Sequence, residues 1–221
     1  MQNVSRGTLP SVHHPPSQNL MYKCAIFNYN QCQGFSETNL QFIGRFGSSL
    51  LKELRRMLRD TLIVIDVQNG LNTAANYDQL VTAINHRIDA YHAAGRPILF
   101  IQLTDDELPY GSAAWQLEAR LHRLENDQVM LKYHSDSFYH TGLETTLHGL
   151  GASTIEIAGL QTEYCIDTAI RVSHDLGFKP TIIHGLNSTF NSPILSASQI
   201  IAHHESIWNG TFAEVLQTPE D

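Results

Sequence analysis

Three side chains have the types and settings that nucleophilic hydrolysis requires: Cys165, Asp66 and Lys132. Residues 154–158, TIEIA, alternate like a strand; beyond Cys165, Ile166, Ala169, Ile170, Val172 and Leu176 recur at helical spacing up to Gly177, a C-cap. This spacing puts the thiol in the first turn of a helix. There, unpaired N–H groups and the positive end of the helix dipole favour an anion, so the expectation is a thiol more acidic than a free one of pKa ~8.5. Asp66 ends the apolar run TLIVID and offers a carboxylate to take the thiol proton. Lys132 closes QVMLK and, if buried, needs a counter-charge; its ammonium would stabilise a thiolate. Each has a plainer reading: the cysteine as a small buried hydrophobe, the aspartate as a turn cap, the lysine as a snorkelling surface cation.

Position is what joins them. Residues 61–66, 97–103, 128–132, 154–158, 180–185 and 211–216 read as strands, and residues near 80–94, 113–124, 142–150, 165–176 and 196–208 as helices. Strands alternating with helices imply a mainly parallel sheet covered on both faces. In such sheets ligands bind beyond the carboxyl ends of the strands. All three candidate residues lie at those ends.

The 221 residues are 42% hydrophobic and carry a net charge of −8, unevenly distributed. Residues 1–60 hold seven basic side chains (Arg6, Lys23, Arg45, Lys52, Arg55, Arg56, Arg59) against three acidic ones (Glu37, Glu53, Asp60), a net of +4, which leaves −12 for residues 61–221. A body so acidic has no electrostatic footprint for nucleic acid, so a small molecule is the expected partner. Three cysteines, an odd number, point to a reducing compartment, and no apolar run approaches the ~18 residues of a membrane span. A cytoplasmic protein is the resulting expectation. Residues 1–60, with Pro10, Pro15, Pro16 and an Asn/Gln-rich stretch, keep neither a helical nor a strand period and read as a poorly ordered basic extension, helical only over 48–59. A targeting peptide is one alternative, although the segment lacks an Arg-rich amphipathic face. A translation start at Met57 is another, decided by N-terminal sequencing of protein made from the native gene.

The segments VIDVQNG at Asp66, LPYGSAAWQL before the third strand, LKYHSDSF at Lys132 and AGLQTEYCIDTAIRVSHDLGF at Cys165 occur in an order that resembles the isochorismatase-like cysteine hydrolases over residues 62–216. ILSASQIIAHHESIWNGTFAEV looks like the last helix and strand of one branch of that family. The resemblance implies a three-layer α/β/α fold with a six-stranded, mainly parallel sheet. It also implies an Asp66, Lys132, Cys165 triad and a non-proline cis peptide at Leu160–Gln161. The oxyanion donors would be the backbone amides of Gln161 and Cys165, and homo-oligomers are common in the family.

The nicotinamidase branch holds a metal with an Asp and histidines after the second strand. LTDDELPYGSAAWQ offers Asp105, Asp106 and Glu107 but no histidine before His122, so neither metal nor cofactor is expected. His203 and His204 are adjacent on a helix, about 100° apart, and cannot share a site as an i, i+4 pair would. Gln68, Trp115, Phe138 and Tyr164 are the candidate substrate contacts, with His134 a weaker one. The activity expected is cleavage of a C–N bond in a small amide, carbamoyl or lactam compound through an acyl-enzyme. Alternatives are vinyl-ether hydrolysis, a catalytically silent metabolite- or partner-binding relative, and a redox-sensing thiol, the last lacking a nearby resolving cysteine.

Overall fold

The computed structural model describes residues 58–217. The basic extension and its predicted helix over 48–59 lie, apart from residues 58–60, outside them. β1 (Thr61–Ile65) leads through a 3₁₀ turn (Asn69–Leu71) to α1 (Tyr77–Ala94) and β2 (Ile98–Leu103). β3 (Gln128–Lys132), α2 (Leu143–Gly149) and β4 (Thr154–Leu160) follow. A π-helical turn (Thr162–Ile166) then opens α3 (Asp167–Asp175), before β5 (Lys179–Ile183), β6 (Asn187–Ser188), α4 (Ala197–Trp208) and β7 (Glu214–Leu216).

The strand order is β3-β2-β1-β4-β5-β7, with the two-residue β6 pairing β4 at Gly159 and Leu160, and every strand pairing is parallel. β1 is apolar throughout because both its faces are covered. Leu62 and Val64 face the cluster built by Leu80, Ile84, Ile88 and Tyr91 of α1. Ile63 and Ile65 face the other cluster, with Leu143 and Leu147 of α2, Ala169 and Ile170 of α3 and Trp208 of α4. The result is a three-layer α/β/α arrangement. α1 stops at Gly95 in the left-handed conformation (φ 62°), and α4 begins with a capping box between Ser196 and Gln199.

Two predicted elements differ. Residues 113–124 form no helix, because their backbone groups bond the segment after β1 instead. Gly70 N–H donates to Ala114 C=O (2.8 Å), Asn69 N–H to Gln116 C=O (2.9 Å) and Glu118 N–H to Val67 C=O (2.9 Å). The last strand is shorter than residues 211–216, because the N–H groups of Thr211, Phe212 and Ala213 all turn back to Trp208 C=O.

One close approach fixes the middle of the sheet. Gly159 (φ 127°) pairs with Ile65, and a Cβ built on it would lie 1.9 Å from Ile65 O. Only glycine allows β4 to run this near the end of β1.

Candidate active site

The chain reverses its direction of growth across the sheet between β1 and β4: β2 and β3 lie on one side of β1, while β4 and everything after it lie on the other. At this crevice β1 is followed at once by Asp66, whose N–H still pairs with Ile101 C=O (3.0 Å) while its φ of 55° turns the chain sharply away. A left-handed aspartate is a costly choice, of order 1 kcal/mol, often found where function demands it. On the far side of the crevice β4 ends at a Leu160–Gln161 cis peptide, followed by the turn that carries Cys165. In that turn Ile166 N–H reaches Gln161 C=O (3.1 Å), five residues back, the spacing of a π-bulge.

Lys132, at the end of β3, completes the group. Its Nζ lies 2.8 Å from Asp66 Oδ2 and donates to Ser135 C=O (3.2 Å). Asp66 and Lys132 are both 0% exposed, and Cys165 is 5% exposed. The fold therefore brings the three side chains from three different strand ends into one enclosed place, where thiol, carboxyl and ammonium all interact.

Burial sets the electrostatics. It pushes the Asp66 carboxyl above its ordinary range, against the pull of Lys132, and so makes it a better proton acceptor than a surface aspartate. Burial alone would depress Lys132, but the charge of Asp66 outweighs it and holds the ammonium protonated, and Cys165 adds to that pull whenever its sulfur is ionised. Burial, with the Asp66 charge beside it, pushes the Cys165 thiol up to about 12, with Lys132 opposing. This corrects the expectation of an acidified thiol: desolvation outweighs the helix terminus, and the resting sulfur keeps its proton.

The candidate substrate contacts fare unevenly. Gln68 is fully buried and its amide is engaged elsewhere: it donates to Leu103 C=O (2.9 Å) and Trp115 C=O (2.8 Å) and accepts from Leu103 N–H (2.9 Å). It clamps the end of β2 to the 113–118 strap and leaves no donor for a ligand. Trp115 is half-buried on the first core cluster, with its indole N–H donated to Thr104 Oγ1 (2.9 Å) and its ring against Tyr110. Phe138 is half-buried and packs on the second cluster, which also holds Cys165, with its ring against Phe178 (centroids 6.3 Å apart). Tyr164 is 56% exposed beside the nucleophile, and His134 is exposed with its ring edge-on to Tyr139. A shallow cleft lined by Arg59, Thr154, Phe178 and Lys179 opens at the amino ends of β4 and β5, the opposite end of the strands from the three.

Asp105 is occupied by its own turn, its Oδ1 accepting from the N–H groups of Glu107 (3.0 Å) and Leu108 (2.8 Å). Among the described residues no group of three or more His, Cys, Asp or Glu side chains is placed to hold a metal ion. No described helix is long and apolar enough to cross a membrane.

Comparison with known proteins agrees with this architecture. Residues 60–199 match the model of the Isochorismatase domain. A crystal structure of an isochorismatase family protein superposes with a TM-score of 0.69 at 38% identity, over 71% of this chain and 96% of that one. The uncharacterized isochorismatase family protein YddQ of Bacillus subtilis is 21% identical over 171 residues, 71% of this chain and 95% of its own. A streptothricin hydrolase of Streptomyces noursei is 24% identical over 139 residues, 60% of this chain and 50% of its own. With a strand-end site of this kind and a family model covering most of the described residues, the chain belongs to the isochorismatase family and is a hydrolase.

Proposed function

We propose that this hydrolase uses Cys165 as a nucleophile on a C–N bond of a small amide, carbamoyl or lactam compound, through a covalent acyl-enzyme. The observation that carries the reading is the fully buried Lys132–Asp66 ion pair beside a buried cysteine. A buried pair of this kind is poor value for stability alone, since apolar residues of similar volume often serve as well. The similarity to a streptothricin hydrolase supports a hydrolytic reaction.

The thiol begins neutral. As Sγ bonds to the carbonyl carbon, its proton passes to Asp66, whose buried carboxyl is a ready acceptor. The charge that develops on the carbonyl oxygen is received by the backbone amides of Gln161 and Cys165; each such donor is typically worth about 3 kcal/mol in the transition state. Asp66 returns the proton to the departing nitrogen, the C–N bond breaks, and a thioester remains. Water then attacks the thioester, giving a proton to Asp66; the acid leaves and the sulfur is reprotonated. Lys132 stays an ammonium throughout, balancing whichever of its two neighbours is charged. Tyr164 is the exposed aromatic nearest the nucleophile in sequence and supplies an apolar contact to the substrate.

A panel of amide, carbamoyl and lactam substrates, read by release of the amine or ammonia or by ring opening, tests this. Wild type should turn over at least one member and accumulate an acyl adduct on Cys165 visible by intact mass. Cys165→Ala should show neither. Undiminished turnover by Cys165→Ala would refute the reading.

A further inference from the structure

The turn that carries Cys165 has two side chains with polar reach into the rest of the fold: Cys165 itself, toward Asp66 and Lys132, and Thr162, in the other direction. Thr162 is fully buried, and its Oγ1 donates to Asn187 Oδ1 at 2.7 Å. Asn187 Nδ2 donates to Glu205 Oε1 at 2.8 Å, and Glu205 Oε2 lies 2.8 Å from His184 Nδ1. Four residues thus form one continuous chain of short hydrogen bonds. It runs from a half-exposed imidazole through a buried carboxylate and a buried amide to the first residue of the nucleophile's turn.

The direction of the chain is set by chemistry. An ionised carboxylate only accepts, so it takes the amide N–H₂ of Asn187 on one oxygen and a ring N–H on the other. The amide is then obliged to present its oxygen to Thr162, and the hydroxyl must donate. No member can be reversed without placing two acceptors face to face, so each bond fixes the next. The elements tied together are the ones that decide where the sulfur sits. Asn187 belongs to β6, which pairs with the end of β4, and Gly159 N–H donates to Leu186 C=O (2.9 Å). Glu205 belongs to α4, whose Trp208 indole also braces Asp167, the first residue of α3, at 2.7 Å. The turn is therefore held from outside at both its ends.

We propose that Thr162, Asn187, Glu205 and His184 are a positioning relay for the nucleophile, acting through the Thr162 hydroxyl to hold Sγ in register with Asp66 and Lys132. The inference rests on the proposed role of Cys165 and adds to it the residues that set its place. Loss of the relay lets the turn shift, and displacement of a reacting atom by about 1 Å from a remote change can cost about 100-fold in rate.

The test uses Thr162→Val, which keeps the shape and removes the hydroxyl, and Thr162→Ser, which keeps the hydroxyl. Two readouts apply: second-order alkylation of Cys165 by iodoacetamide in the folded protein, and kcat and KM on the best member of the substrate panel. Thr162→Val should alkylate at least about tenfold more slowly and lose kcat by about 10- to 100-fold with KM little changed, while Thr162→Ser stays within about threefold of wild type. Asn187→Leu, which keeps most of the volume and removes both of the residue's hydrogen bonds, should move both readouts in the same direction and serves where Thr162→Val does not fold. An unchanged or faster alkylation rate in the folded variant, or a loss that Thr162→Ser fails to rescue, overturns the relay. That result is distinct from turnover surviving in Cys165→Ala, which would overturn the cysteine mechanism itself.

Discussion

Asp66 has to do opposite things in one turnover, and its surroundings explain how it can. A carboxyl driven upward by burial but held charged by Lys132 is balanced between accepting and releasing a proton. Asp66→Asn keeps the size and removes both the base and the counter-charge, so kcat/KM should fall by about 10²- to 10⁴-fold on the substrate identified by the panel. The pH profile follows from the sign of the shift. The ionised carboxyl is the active form, so activity is present above its pKa and lost as pH falls through it. Because that pKa is raised, the acid limb of kcat/KM should lie above the ordinary aspartate value of 3.8. A limb at or below that value, measured in the wild-type enzyme, would contradict the assignment. Cys165 was legible as a residue to watch because an apolar strand and an apolar helix meet around it. Its acidity was not legible, since desolvation depends on the layers that close over the sulfur.

Among the elements, the pair β1–β4 sets the geometry of everything else. Replacing Gly159 by alanine would drive a methyl into Ile65 O and force a side chain into a φ of 127°, so stability should fall by about 3 kcal/mol or more. Equilibrium urea unfolding of Gly159→Ala checks this; a loss under about 1 kcal/mol would mean that the strands can part without penalty. The strands, their order of appearance and the helical face Leu80, Val81, Ile84, Ile88 and Tyr91 could be read from periodicity, because burial on two faces or one leaves a direct imprint on residue type. The helix expected over 113–124 failed because its backbone partners lie near residue 70, beyond the reach of any local pattern. The relay was invisible for the same reason: its members bond across 25, 18 and 21 residues, and none stands out by type. Gln68 stands out in the sequence by its closeness to Asp66, but its clamp is made with Leu103 and Trp115, too far along the chain for a local pattern to show.

Across the whole molecule, one helical layer is anchored to the sheet by a buried ion pair away from the site. Arg87 of α1 makes a bidentate contact with Glu156 of β4 (both 2.6 Å), and Tyr91 Oη donates to the same carboxylate (3.0 Å). Arg87→Met should cost about 3–5 kcal/mol in urea unfolding, because Glu156 is left charged and buried without its partner. Adding Glu156→Leu should recover most of that loss, and a double-mutant cycle measures the coupling. Strict additivity would show that the two side chains do not depend on each other. The order β3-β2-β1 has a quieter consequence for the other buried pair. Lysine and aspartate are rooted two strand spacings apart, roughly 9.5 Å, with β2 between them giving neither charge. A long base and a short acid together bridge that gap, so the width of the sheet acts as a gauge: the lengths of the two side chains must change together or not at all.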